Sequence, residues 1–106
     1  KIVTPFFINK FKNKIINIHP SLLPAYKGGT AISDSILNGS KITGCSVHFV
    51  EEEVDSGSLI MQAALSIRDD DDIESLSKRI QILEHKILPH SISHAGFLIR
   101  SNIMEN

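Results

Sequence analysis

The sequence predicts an α/β fold, because stretches with strand periodicity alternate along the chain with stretches of helical periodicity. Residues 44–50 alternate between apolar and polar side chains, which is the pattern of a strand. Residues 73–95 instead repeat apolar side chains at helical spacing, in the longest predicted element. The 106 residues are enough for one domain or for part of a larger one.

The first half of the chain is predicted to contain a helix, a strand, a loop and a second helix. The proline at position 5 can open a short helix over 5–11, and the β-branched run at 15–18 has the character of a strand. The segment 21–29 carries one proline and two glycines and must be a loop. Residues 30–37 can form the second helix, which the Asn-Gly pair at 38–39 would stop.

A pair of strands is predicted next. On the strand at 44–50 the apolar side chains share one face and the polar ones the other: Cys45, Val47 and Phe49 against Ser46 and His48. Residues 59–67 are predicted to return as an antiparallel strand. The acidic loop at 51–57 is longer than most hairpin loops, which indicates a functional loop.

A long helix is predicted to close the chain. Asp71 and Glu74 have the spacing of a capping box at its start. The apolar repeat continues to about Ala95, with Pro89 as the expected position of a kink.

The composition excludes several classes of protein. Hydrophobic residues at 42%, charged residues at 22% and a net charge of −1 describe an ordinary globular protein, without the basic surface that nucleic acid or a membrane surface would require. We find no apolar run long enough to span a membrane and no signal peptide. The single cysteine, Cys45, excludes an internal disulfide and a cysteine-based zinc cluster, and it is expected to be a buried thiol in a reducing, cytoplasmic setting.

Three residues are candidates for acid–base chemistry. Asn17 and His19 are two positions apart on a strand, so their side chains project to the same face. An amide donor can stabilise an oxyanion, and an imidazole can move the proton of an attacking amine. Asp55, in the acidic loop, could orient the ring and favour its charged form. Taken alone, these features favour a structural histidine and an ordinary loop turn over a catalytic site.

Two blocks of sequence are similar to the signatures of glycinamide ribonucleotide formyltransferases. Residues 17–24 read Asn-Ile-His-Pro-Ser-Leu-Leu-Pro, and Tyr26 and Gly28 follow. Residues 44–50 read Gly-Cys-Ser-Val-His-Phe-Val, followed by Asp-Ser-Gly at 55–57. Gln62, the segment 81–85 and Pro89 also resemble the family's C-terminal strand and helix, so the resemblance extends over essentially the whole chain.

The resemblance implies the C-terminal half of a Rossmann-like formyltransferase, with a mixed sheet and flanking helices. The implied reaction moves a formyl group from 10-formyltetrahydrofolate to the amine of glycinamide ribonucleotide, in purine synthesis, without a metal. Asn17 would stabilise the oxyanion, His19 would stabilise charge or transfer a proton, and Asp55 would hold His19 charged and relay the proton through water.

The resemblance also implies two sets of binding residues. The folate would be bound by two segments: Lys1, Ile2, Val3, Glu51, Glu52, Glu53, Val54 and Asp55. The ribonucleotide would be bound by Ile18, Pro20 and Glu84, with Glu84 on its ribose hydroxyls.

The sequence departs from the family pattern at two places. Position 1 carries lysine where arginine is usual, and residues 29–33 replace a stretch that usually carries histidines. The family's Gly-rich phosphate loop has no counterpart in these residues. The chain begins without methionine, so we expect a truncated start, completed by a missing nucleotide-binding half or by a second copy of the chain.

Two alternatives remain open. The first is an enzyme like methionyl-tRNA formyltransferase, which shares the Asn-x-His core, although no basic domain for tRNA is appended here. The second is a truncated, non-catalytic fragment that binds folate.

Overall fold

A computed structural model describes residues 6–8, 15–50 and 59–105 of the chain, with side-chain surroundings for 15–50 and 59–98. The elements follow in the order β1 (Phe6–Ile8), β2 (Ile15–His19), α1 (Ala31–Leu37), β3 (Ile42–Phe49), β4 (Leu59–Ser66) and α2 (Ile73–Glu105). The strands form one sheet in the order β1-β2-β3-β4. The α/β class is therefore confirmed.

Each neighbouring pair of strands in this sheet is antiparallel. The return of β4 along β3 confirms the antiparallel pair predicted around the acidic loop. Any parallel strands of the expected mixed sheet would lie outside the described residues.

The first strand corrects the prediction of a helix over 5–11. Phe6–Ile8 lies along β2, with Phe6 opposite Asn17 and Ile8 opposite Ile15. An aromatic and β-branched segment favours extended backbone, and pairing with a sheet edge supplies hydrogen bonds that a short isolated helix could hardly maintain. The remainder of the predicted helix lies outside the described residues.

The sheet has a core face and a polar face. The core face and the helix residues packed on it form one buried cluster: Ile16, Ile18, Cys45, Val47, Phe49, Ile60, Leu76, Ile80 and Ala95. The opposite side of the sheet, which we call the polar face, carries Asn17, His19, Ser46, His48 and Gln62. The alternation read from residues 44–50 is confirmed, because its apolar members are all in the buried cluster.

Helix α1 (Ala31–Leu37) begins one residue later than predicted and has the predicted stop. Thr30 is its N-cap, and Asn38 is its C-cap, where the backbone N–H of Asn38 donates to the carbonyl of Asp34. Gly39 then takes a left-handed φ of +69°, a conformation that glycine adopts without steric cost. Partly buried Ile32 and Ile36 pack α1 against the core cluster.

Helix α2 begins with a capping box one residue later than predicted. The Asp72 carboxylate accepts from the backbone N–H of Ser75 at 2.8 Å, and the Ser75 hydroxyl accepts from the N–H of Asp72 at 3.0 Å. Asp71 instead accepts from the N–H of Arg68 and forms an ion pair with Arg79. Because its carboxylate is engaged in this way, Asp71 does not cap the helix.

Helix α2 is also longer than predicted, since it runs through Pro89 and past Ala95 to Glu105. Proline lacks the N–H that an interior helical position donates, but a long helix packed on a sheet keeps its other hydrogen bonds and can continue. Ser91 stays buried two residues after the proline because its hydroxyl donates to the carbonyl of Ile87 at 2.7 Å. No helix in the described ranges is both long and apolar enough for a membrane span.

The packing of β3 against β4 around Gly44 predicts a strict need for glycine at this position. A Cβ atom added to Gly44 would lie 1.9 Å from the backbone oxygen of Ala63, which is far inside van der Waals contact. We therefore expect Gly44→Ala to lower the free energy of unfolding by about 1–3 kcal/mol or more, measured by urea denaturation. Gly28→Ala is the matched control, because an added Cβ there meets nothing within 4 Å. Equal midpoints for the two variants would contradict this account of the strand contact.

Candidate active site

Asn17 lies on the polar face of β2, directly opposite His48 of β3. The amide nitrogen Nδ2 of Asn17 and the ring nitrogen Nε2 of His48 are 3.4 Å apart. The other ring nitrogen of His48, Nδ1, lies 3.1 Å from the carbonyl oxygen of Phe49. A carbonyl can only accept, so Nδ1 donates and Nε2 of the neutral ring is the acceptor for the Asn17 amide.

This contact leaves part of the Asn17 amide uncommitted. One N–H is directed at His48, and the oxygen Oδ1 is buried without a hydrogen-bond partner within the described part of the chain. A buried, unpaired carbonyl oxygen costs about 1–3 kcal/mol, so proteins rarely keep one without a reason. The Asn17 amide therefore has one donor and one acceptor that a bound molecule could satisfy.

His19 is held by a single backbone group of the following loop. Its Nε2 lies 2.8 Å from the carbonyl oxygen of Tyr26, so Nε2 carries a proton and donates. In the neutral ring Nδ1 then has the free electron pair. A fixed tautomer of this kind is what a histidine needs if one defined nitrogen is to accept or return a proton.

The loop that follows β2 is anchored to the sheet by buried hydroxyl groups. The Ser46 hydroxyl donates to the carbonyl of Ser21 at 2.6 Å and accepts from the N–H of Leu23 at 2.9 Å. The Gln62 amide donates to the same hydroxyl and to the carbonyl of Leu23, each at 3.0 Å. One donor and two acceptor positions of Ser46 are thus all used. This arrangement fixes the loop over the polar face beside His19.

Glu84 lies on helix α2, which packs on the core face of the sheet. Burial raises the pKa of its carboxyl group, an effect that the charge of nearby His85 partly opposes. Burial and then the charge of Glu84 raise the pKa of the Cys45 thiol to about 12. Cys45 is buried in the core cluster, which confirms the expected buried thiol. The effect of Glu84 on its pKa places Glu84 on the core-face side of the sheet.

Of the predicted site residues, some lie in the described part of the structure and can be placed, and others lie outside it. Asn17 and His19 share one face, as the spacing predicted. The Ile18 side chain points into the core at 2% exposure, so any contact with a substrate would come from its backbone. Pro20 is buried at the start of the loop. Eight predicted site residues lie outside the described residues: Lys1, Ile2, Val3, Glu51, Glu52, Glu53, Val54 and Asp55. Asp55 was predicted both as a catalytic and as a folate-binding residue.

Reasoning from the residues alone did not assign site roles to four residues that the structure adds: Tyr26, Ser46, His48 and Gln62. Ser46 and His48 could have been found from strand alternation, which already put them on the polar face. The contributions of Gln62 and of the Tyr26 carbonyl depend on register and loop geometry. Within the described ranges, no three or more His, Cys, Asp or Glu side chains are grouped so that they could hold a metal ion.

Comparison with known proteins gives a consistent family assignment. A family profile described as formyl transferase matches residues 1–92. The chain is 49% identical over 92 residues to the trifunctional purine biosynthetic protein adenosine-3 of Chironomus tentans, covering 87% of this chain and 7% of that protein. It is 45% identical over 89 residues to phosphoribosylglycinamide formyltransferase of Haemophilus influenzae, covering 84% of this chain and 42% of that protein.

Solved structures show the same relationship. Glycinamide ribonucleotide transformylase 1 from Symbiobacterium toebii superposes with a TM-score of 0.71 at 44% identity, over 76% of this chain and 39% of that one. Phosphoribosylglycinamide formyltransferase from Anaplasma phagocytophilum gives a TM-score of 0.70 at 47% identity, over 73% of this chain and 38% of that one. The chain therefore spans less than half the length of these relatives.

Removal of the Ser46 hydroxyl should destabilise the loop and the sheet together. Ser46→Ala leaves the N–H of Leu23 and the carbonyl of Ser21 without their partner in a buried position. We expect the free energy of unfolding to fall by about 2 kcal/mol or more, measured by urea denaturation. Ser66→Ala, at the exposed end of β4, should change it by no more than about 0.5 kcal/mol. Similar losses for both variants would contradict the anchoring role of Ser46.

Glu84 should make the unfolding free energy depend on pH. Because its pKa is raised in the fold, the folded state binds the proton more tightly, and stability declines as pH rises from the ordinary value of 4.5 through the raised one. Glutamine does not titrate, so Glu84→Gln does not lose stability in this way. The unfolding free energy of the variant minus that of the unmodified chain should therefore increase as the pH rises above 4.5. Denaturation at a series of pH values measures the difference, and a constant difference would refute the prediction.

Proposed function

The chain belongs to the formyl transferase family, and from this premise we propose that it carries the formyl-transfer site of a phosphoribosylglycinamide formyltransferase. The observation that supports this most directly is the Asn17 amide, which lies beside His19 with a buried oxygen that has no partner among the described residues. The names of the relatives, at 44–49% identity, support the same reaction.

The proposed reaction moves one formyl group and one proton. The amine of glycinamide ribonucleotide attacks the formyl carbon of 10-formyltetrahydrofolate, and the carbonyl electron pair moves to the oxygen. When the oxyanion collapses, the bond from the formyl carbon to N10 breaks and its electron pair stays on N10. The attacking nitrogen loses a proton and N10 gains one, so the products are the formylated ribonucleotide and tetrahydrofolate.

Asn17 is proposed to stabilise the tetrahedral oxyanion. Its amide has one N–H directed at His48, which leaves the second N–H as the donor for the developing negative charge. The unpaired Oδ1 could accept from the N–H of the attacking amine and so help to orient it. Both contacts are satisfied when the two substrates meet, which offsets the cost of leaving Oδ1 unpaired.

His19 is proposed to handle charge and the proton at the reacting centre. The Tyr26 carbonyl keeps the proton on Nε2, so Nδ1 is the nitrogen that could accept a proton from the amine and return it towards N10. Asp55 is proposed to favour the charged ring and to relay the proton through water. In the sequence, the acidic segment 51–57 that contains Asp55 closely follows β3, which carries His48.

The binding roles implied by the family are part of the same proposal. The folate would lie between residues 1–3 and 51–55, held largely by backbone groups. Glu84 would bind the ribose hydroxyls, and Ile18 and Pro20 would line the approach of the ribonucleotide. The longer relatives support a further proposal, that a nucleotide-binding half supplies the phosphate loop, with a second copy of the chain as the alternative partner. We also propose that the reaction takes place in the cytoplasm and needs no metal.

Removal of the Asn17 amide should slow turnover while the fold survives. Loss of one oxyanion donor lowers kcat by about 10²–10³-fold, and we expect this for Asn17→Ala in the enzyme that contains this chain. Asp55→Ala should also reduce kcat strongly. Asn38→Ala is the matched control, since Asn38 is an exposed cap whose amide donates to the carbonyl of Asp34. Turnover near the unmodified level in Asn17→Ala would exclude the proposed role.

One incubation separates the candidate functions. The chain is mixed with 10-formyltetrahydrofolate and either glycinamide ribonucleotide or methionyl-tRNA, and loss of the formyl group from the folate is followed. Transfer to the ribonucleotide supports the proposal, and transfer to the tRNA overturns it in favour of the alternative enzyme. Folate binding without transfer to either acceptor supports a non-catalytic fragment that needs a further half.

A further inference from the structure

The backbone of Tyr26 has a conformation that a tyrosine adopts only at a cost. Its φ is 51°, in the left-handed region, where a residue with a Cβ atom loses about 1–2 kcal/mol relative to its ordinary conformations. Surrounding contacts must therefore hold Tyr26 in place. This conformation sets the direction of the Tyr26 carbonyl, which accepts a hydrogen bond from Nε2–H of His19.

Two contacts hold Tyr26, one at its backbone and one at its side chain. At the backbone, the Ser21 hydroxyl donates to the carbonyl of Ala25 at 2.6 Å and to that of Tyr26 at 3.3 Å. At the side chain, the phenol oxygen of Tyr26 forms a 2.6 Å hydrogen bond with the hydroxyl of Ser40, which follows α1. Ser40 is itself fixed, because its N–H donates to the carbonyl of Ser35 at the end of α1.

We propose that Tyr26 is a positioning residue for His19. Its phenol, bonded to Ser40, holds its backbone carbonyl where it selects the Nε2–H tautomer and the orientation of the imidazole. This inference rests on the proposed catalytic role of His19, because a fixed tautomer matters for turnover only if Nδ1 transfers a proton. It also gives α1 a function, since the carbonyl of Ser35 in its last turn fixes Ser40, the anchor of the tyrosine.

The two partners of the anchor can be removed separately. Tyr26→Phe deletes the phenol oxygen and keeps the ring, and Ser40→Ala deletes the partner hydroxyl and leaves Tyr26 intact. The matched control is Ser33→Ala, which removes a hydroxyl of α1 that donates to the carbonyl of Thr30. Circular dichroism and urea denaturation establish that each variant is folded.

The tautomer of His19 is read from the chain itself by ¹⁵N nuclear magnetic resonance of labelled histidine, in alkaline buffer that favours neutral rings. A His19→Gln sample identifies the signals of His19. We expect the Nε2–H form in the unmodified chain and in Ser33→Ala, and a mixture of both tautomers in Tyr26→Phe and Ser40→Ala. A single Nε2–H form in both anchor variants would overturn the proposal.

The kinetic measurement tests the consequence for catalysis. In the enzyme that contains this chain, each anchor variant should lower kcat by on the order of 10- to 100-fold with little change in KM for either substrate. The double variant should be no slower than either single one, since both remove the same contact. Unchanged kcat with a mixed tautomer would overturn the positioning role.

The two measurements also separate this proposal from the proposed function. If the anchor variants mix the tautomers but the unmodified enzyme transfers no formyl group, the proposed function fails and the structural account of Tyr26 stands. If transfer is normal and the tautomer is unchanged in both variants, the proposed function stands and the role of Tyr26 fails.

Discussion

The register between β2 and β3 is the constraint on which the site depends. Their backbone pairing sets Asn17 opposite His48 and His19 opposite Ser46, while Ile18 lies opposite Val47 on the core face. Because side chains alternate along a strand, a slip of one residue would turn Ile18 outward and bury Asn17 among apolar groups. The burial of Ile16 and Ile18 therefore fixes the register, and the core secures the geometry of the polar face.

Within the polar face the hydroxyl of Ser46 is buried, so its hydrogen bonds must be satisfied inside the protein, whereas Gln62 is exposed. The fully buried Ser46 hydroxyl uses all its hydrogen-bonding capacity, because it donates to the loop once and accepts once from the loop and once from Gln62. Displacing the loop would break these hydrogen bonds together, and any group left buried without a partner would cost about 1–3 kcal/mol. The carbonyl of Tyr26 is thereby held beside His19 by a structure that forms with the fold and does not wait for a ligand.

Sequence reasoning identified the parts of the fold that follow from periodicity. The alternation of residues 44–50, the stop of α1 at Asn38 and Gly39, and the shared face of Asn17 and His19 each follow from the local chain. The capping box was misplaced by one residue because the ion pair of Asp71 with Arg79 joins residues from separate turns, which local spacing does not reveal. The His48 and Tyr26 contacts likewise join residues that register and loop closure bring together.

Asn17 and His19 are held in different ways, and the difference suits their proposed tasks. The imidazole of His19 needs one defined tautomer, and a short 2.8 Å bond to a fixed carbonyl provides it. The amide of Asn17 needs a free donor for charge that develops during the reaction, and a long 3.4 Å contact with His48 orients it without consuming its capacity. A tight bond to Asn17 would have stabilised the fold at the expense of the transition state. Under the proposed role, the second N–H of the Asn17 amide keeps its hydrogen-bonding energy for the oxyanion that forms during the reaction.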